Sequence, residues 1–237
     1  MTNFAEFLRW SKDGSELFLR TVETMPDDEF TTQSLLPNWT KATVVAHVAY
    51  NAQALNNLVN WAISGIETPM YRSPNERSEQ LERSLEMSQG DLREFLRETD
   101  ENLSRHFSNL DDSAIKKIVV TAQGRRVPAS ELPWMRAKEV WIHAVDLDRG
   151  LTFHDFPQEF VDALLSNIVQ QRHSRADHPS LVLVPTGRNR RWNIGEDDEV
   201  ATTVCGDASE ITSWLAGRRC NNLDTDSGFL PDIGPWF

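Results

Sequence analysis

Apolar positions recur at a helical period through the first 150 residues. Phe4, Phe7, Leu8, Leu17, Phe18 and Val22 predict a first helix, opened by a capping box of Asn3 with Glu6 and broken at Pro26. After the loop Leu36-Pro37-Asn38-Trp39, Thr40 is the natural N-cap of a second helix. Its stripe of Val44, Val45, Val48, Ala52, Leu55, Leu58, Val59 and Ala62 ends near Gly65. A third start has Ser73 as cap, Pro74 at the first helical position and Glu76 at the third. From there Leu81, Leu85, Leu92, Leu96, Leu103 and Phe107 predict one helix of roughly thirty residues. Then the period shortens: Ile118 to Thr121, the turn Ala122-Gln123-Gly124-Arg125, and Arg126-Val127 predict a small hairpin. Ser130 opens a fourth helix running to about Arg149, with Gly150 just past its end.

Beyond Gly150 the texture changes. Pro157 to about His173 predicts a helix. Leu181–Val184, Arg191–Ile194 and Val200 to Cys205 predict three strands, and Asp207 with Glu210 opens a last helix that stops at Gly217. The fold class is therefore mostly α: an antiparallel four-helix bundle over 1–152, then a small α+β C-terminal domain over 153–237.

Composition narrows the classes of partner. The 237 residues carry a formal charge of −12, and each part, divided after Gly150, carries −6. Neither part is basic, which argues against binding to nucleic acid or to an anionic membrane surface. No apolar run approaches the ~18 residues of a membrane span, and the first residues lack the pattern of a secretory signal. The expected location is the cytoplasm, and the expected assembly a monomer. Cys205 and Cys220 are the only cysteines; they make neither a disulfide framework nor a four-cysteine zinc site, and read as reduced thiols.

Two of the six histidines, His47 and His143, lie within apolar helical stretches, where a lone histidine is commonly a satisfied core residue. His143 has company. Glu139 is four residues earlier, so the two side chains lie about 40° apart on one helix face, one turn apart. Such a pair is an ordinary i,i+4 contact or two ligands of one ion, and the pair alone does not decide. A third ligand from a facing helix would decide it, because two histidines and a carboxylate leave open positions of the kind a catalytic Zn²⁺ keeps. His47 is the candidate. Asp146, three residues beyond His143, is a candidate outer partner or a solvated carboxylate.

These same residues carry a resemblance. Leu36-Pro37-Asn38-Trp39-Thr40 followed by Val44-Val45-Ala46-His47 resembles a segment of the DinB-like metal-binding bundles, with Asn38 where that family usually has Gly. Trp134 to Leu147, with Arg136, Glu139, His143 and Asp146, is similar to the last bundle helix of the maleylpyruvate isomerase family. Val204 to Ala208 and Trp214 to Arg218 resemble that family's second domain. The resemblance implies that His47, Glu139 and His143 hold a divalent metal, expected to be Zn²⁺, and that mycothiol is the co-substrate. The implied reaction is the cis–trans isomerisation of maleylpyruvate to fumarylpyruvate by reversible thiolate addition. Arg218, after the helix-ending Gly217, is the implied anion-binding residue, with Arg219 the alternative and Arg188, Arg190 and Arg191 a further basic group. Two other readings stay open. One is a different mycothiol-dependent transferase or metal hydrolase on the same bundle. The other is a non-enzymatic module stabilised by its metal.

Overall fold

The computed structural model describes residues 4–173, 179–195, 201–234 and 236. It falls into two compact units, Met1–Gly150 and Leu151–Phe237. The expected caps Asn3 and strand start Val200 lie outside the described residues.

In the first unit, helix α1 spans Phe4–Glu23, α2 Lys41–Ser64, α3 Glu76–Ser84, α4 Gln89–Ser108 and α5 Leu132–Asp146. Thr40 caps α2 as expected, its side chain accepting from the Thr43 N–H. Gly65, at φ 74°, ends that helix in the left-handed region. The apolar stripe of α2 faces the core: Val44, Val45, Val48, Leu55, Leu58 and Val59 are all fully buried. Around it, Leu103 and Phe107 of α4 and Leu132 at the start of α5 complete one core cluster.

The long third helix is two helices. Ser88 and Asp91 form a reciprocal capping box that starts α4 afresh. Leu85, predicted on the buried stripe, is 69% exposed. The start of α3 also differs. The helix begins at Glu76 after Asn75, and the Glu76 carboxylate reaches back to the Arg72 N–H and guanidinium rather than to a Ser73 cap. The physical consequence is topological. The stretch from Gly65 to Ser88 returns the chain, so that α4 runs in the same sense as α2: Tyr50 stacks on Phe95, and Asn56 meets His106. Likewise α1 runs with α5, with Phe7 against Trp134 and Gly14 against Val140. The antiparallel pairs are α1 with α4, where Ser15 meets Asp100 and Val22 meets Arg93, and α2 with α5. The bundle is thus up-down-down-up, joined by one long crossover.

Strands β1 (Ile118–Val120) and β2 (Arg126–Pro128) form the expected hairpin. A short 3-10 turn over Ala129–Glu131 precedes α5, so Ser130 is not its cap. That helix stops at Asp146, earlier than expected; Asp148, at φ 52°, turns the chain there.

In the second unit, α6 spans Gln158–His173, β3 Leu181–Pro185, β4 Trp192–Ile194, β5 Thr202–Gly206, α7 Ala208–Leu215 and β6 Asp224–Thr225. The sheet order is β4-β3-β5-β6, with β3 and β5 parallel and in register Leu183 to Val204. Asp207 caps α7 through the Ser209 N–H, whereas Glu210 bonds His154 and the Asn221 N–H instead of closing a capping box. The end of α7 is a Schellman motif: Arg218 N–H donates to Ser213 O and Gly217 N–H to Trp214 O, each at 2.9 Å. Arg172 is fully buried and donates to the carbonyls of Leu215, Ile233 and Gly234, pinning that helix end to the tail.

Candidate metal centre

Helical geometry places Glu139 and His143 together on α5, and the antiparallel packing of α2 on α5 adds His47. His47 Nε2 lies 3.1 Å from Glu139 Oε2, and His143 Nε2 lies 3.3 Å from the same oxygen. The two imidazole rings are 5.0 Å apart and nearly perpendicular. Three ligand atoms, one from each residue, all lie within 4.8 Å of one another, the only such group among the described residues.

The two histidines are contacted from behind. Asp146, wholly buried, lies 2.8 Å from His143 Nδ1, so that nitrogen carries the donated proton and Nε2 is the nitrogen left to face Glu139. Of the two possibilities for Asp146, the outer partner is therefore the one realised. The Trp39 and His47 rings meet edge to face, their centroids 5.2 Å apart. The loop that carries Trp39 is tied down by Ser34 and Gln33, which donate to the Trp39 carbonyl, and by the Leu35 N–H, which donates to the Asp146 carbonyl. Asn38 adopts φ 63°, a left-handed conformation that Gly favours and Asn tolerates, so the turn survives the departure from the family pattern.

The electrostatics are those of a closely coupled cluster. Burial pulls the His47 imidazole below its ordinary pKa, against the pull of Glu139. Burial lowers His143 too, but hydrogen bonds to Asp146 and Glu139 outweigh it and hold this histidine above its ordinary value. Burial alone would push Glu139 up, yet bonds to His143 and His47 keep it well below the usual carboxylate range. The site therefore presents an ionised carboxylate and a neutral His47 near neutral pH.

The residues fit a divalent ion. Ligand atoms about 2.0–2.2 Å from a tetrahedral ion stand roughly 3.3 Å apart, and the two measured separations are 3.1 and 3.3 Å. Two nitrogens and one oxygen leave positions for exogenous ligands.

Two further residues are electrostatically linked to this cluster, and no pattern in the sequence singles them out. The Arg77 charge acts on both His47 and the Tyr71 phenol, and the Glu139 charge acts on Tyr71, whose pKa burial raises. Both lie at or near α3, in the crossover, where neither periodicity nor motif marks them.

The remaining expected residues lie in the second unit. Arg218 occupies the position after Gly217 in the Schellman motif, and its Nη1 donates to Ala216 O at 2.7 Å. Arg188 is engaged by Asp162 at 2.9 Å, and Arg190 lies over the Trp192 ring. Burial pushes the Cys220 thiol up, and Cys205 is half-buried on β5.

An up-down-down-up helical bundle with a two-histidine, one-glutamate cluster between α2 and α5, followed by an α+β unit, defines a helical-bundle protein with a candidate metal centre. The profile described as "Mycothiol maleylpyruvate isomerase N-terminal domain" matches residues 12–148. A solved structure described as "Crystal structure of the mycothiol-dependent maleylpyruvate isomerase" superposes with a TM-score of 0.94 at 35% identity, covering 100% of both chains. The structure of a histidine-to-alanine mutant of a mycothiol-dependent maleylpyruvate isomerase matches with the same values. No curated protein sequence matches the chain. The chain belongs to the mycothiol maleylpyruvate isomerase family. Among its described residues, no helix is long and apolar enough to cross a membrane.

Proposed function

We propose that this chain is a cytoplasmic enzyme that isomerises maleylpyruvate to fumarylpyruvate with mycothiol as co-substrate. The observation that carries the reading is the convergence of His47, Glu139 and His143, oriented by Asp146, in a chain matched end to end by an isomerase of that description.

Rotation about the substrate's C=C bond is blocked until that bond is lost. Thiolate addition forms a C–S bond and moves the alkene electron pair into the adjacent carbonyl as an enolate. Rotation about the new single bond, return of the electron pair and departure of the thiolate give the trans alkene, with no net change in protons. A divalent ion, for which we propose Zn²⁺, supplies a thiolate at neutral pH from a thiol of ordinary pKa ~8.5. His47, Glu139 and His143 hold that ion, and Asp146 keeps His143 in the ligating tautomer. Cys205 and Cys220 take no part: an external thiol is the nucleophile, and burial raises rather than lowers the Cys220 pKa. For the substrate's carboxylates we propose Arg218, whose planar fork suits bidentate binding.

Metal analysis combined with an isomerisation assay, with and without mycothiol, tests the reading. His47→Ala should lose metal and activity together, while Cys205→Ser/Cys220→Ser should retain mycothiol-dependent turnover. Wild-type turnover in the absence of any thiol, or full metal content in His47→Ala, refutes it.

A further inference from the structure

Arg136 sits one turn before Glu139 on α5 and takes no part in the chemistry above, yet its charge is almost wholly enclosed in the bundle, at 1% exposure. Its Nη1 donates to Val48 O at 2.7 Å and to Asn51 Oδ1 at 3.0 Å, both on α2. Nη2 donates to Asp100 Oδ1 on α4 at 2.8 Å, and Ser15 of α1 donates to the same oxygen at 2.6 Å. One guanidinium thus links all four bundle helices.

The location is what gives this network meaning. Asn51 is one turn after His47 on α2, and Arg136 one turn before Glu139 on α5. Because these helices are antiparallel, the Arg136–Asn51 rung lies directly beneath the rung of ligands, on the same seam. Apolar packing between α2 and α5 is non-directional, and a small slide of one helix along the other costs it little. A metal site tolerates ligand distances only within about 0.2 Å. The register therefore needs a directional contact, and Arg136 supplies one: a rigid planar fork bonded to two α2 acceptors. The network is not optimised for stability. Its charges are desolvated, and Arg136 Nε is buried without a hydrogen-bond partner.

We propose that Arg136, with Asp100, Asn51 and Ser15, is the positioning unit of the metal centre: it sets the register of α2 against α5 that brings His47 to the Glu139 Oε2 that His143 also faces. The inference rests on the metal-centre reading, and the test separates the two. Metal-stripped protein is titrated with Co²⁺, following the visible d–d absorption, and its metal-free stability is measured in urea. Arg136→Met/Asp100→Leu replaces the buried pair with apolar side chains, a change that leaves stability intact or raises it. Its urea midpoint should equal or exceed that of the wild type, while Co²⁺ affinity falls at least tenfold and the absorption band changes shape. Arg136→Lys keeps a charge for Asp100 but loses the fork, and should fall between the two. Should the double variant not fold, Arg136→Lys carries the test alone. Co²⁺ affinity and band shape within twofold of wild type, in a folded variant, overturn the proposal. If the wild type itself binds no Co²⁺, the metal-centre reading fails, and the inference falls with it.

Discussion

Asp146→Asn isolates the electrostatic part of the metal centre. The carboxylate can only accept, so its 2.8 Å contact with His143 admits one tautomer, with the proton on Nδ1 and the lone pair on Nε2. The amide keeps the volume of a side chain that is wholly buried. It loses the charge, and it can present either its oxygen or its NH₂ to Nδ1; the second arrangement favours the non-ligating tautomer. Loss of an outer partner of this kind weakens metal binding by about 10–100-fold. With Zn²⁺ at 100 times the wild-type Kd, the ion stabilises the wild type by about 2.7 kcal/mol; after a 10–100-fold loss of affinity only about 0.4–1.4 kcal/mol remains. The difference of about 1.3–2.3 kcal/mol corresponds to a melting shift of roughly 3–9 °C for a chain of this size. Scanning calorimetry of both proteins, with Zn²⁺ and with excess chelator, reads this directly. The shift should appear in the Zn²⁺ pair and be much smaller in the chelated pair. An equal metal-induced shift in wild type and Asp146→Asn would refute the tautomer argument.

The remaining expectations concern pH, packing and charge. In the metal-free protein His143 has a raised pKa, so its stabilising contribution is complete below the unfolded value of ~6.5 and is lost as pH rises through the higher folded value. Zn²⁺ must displace that proton, so calorimetric titrations near neutral pH in buffers of different ionisation enthalpy should report proton release that diminishes as pH rises; heats independent of buffer would contradict the assignment. Gly14→Ala builds a Cβ 2.6 Å from Val140 Cγ2 and 2.7 Å from the Trp141 ring, which itself donates to the Trp10 carbonyl. The overpacking should cost about 1–3 kcal/mol in urea unfolding, and an unchanged midpoint would show that α1 and α5 separate freely there. Arg218→Ala should lower kcat/KM strongly with metal content unchanged, and Arg218→Lys should recover it only in part. Near-normal kcat/KM in Arg218→Ala would remove it from the anion site, and Arg77, whose charge acts on His47, becomes the next variant to assay.

Local order was legible in the chain wherever one segment carried its own physical cause. Thr40 caps α2 because a hydroxyl before an apolar stripe satisfies a free N–H, and Gly217 ends α7 because the left-handed turn costs glycine nothing. Glu139 and His143 share a face by helical period alone, and the hairpin at Gly124 follows from its turn. The break in the third helix was also written in the chain, as Ser88 with Asp91, but the apolar spacing of Leu81, Leu85, Leu92 and Leu96 runs straight across it. Periodicity reports which faces are apolar and does not report whether the helix continues between them. What the chain could not express on its own is the direction of each helix and its register against the others. The return from Gly65 to Ser88 makes α2 and α4 parallel, and α2 antiparallel to α5, so that His47 arrives 92 residues from Glu139 in sequence and 3.1 Å from it in space. Arg136 and Asp100 show the same limit: they stand 36 residues apart on different helices, and only packing makes them a buried pair 2.8 Å apart. Caps, turns and helix faces are set by bonds within a few residues, whereas ligand convergence is set by contacts between helices, whose geometry exists only once the core has closed.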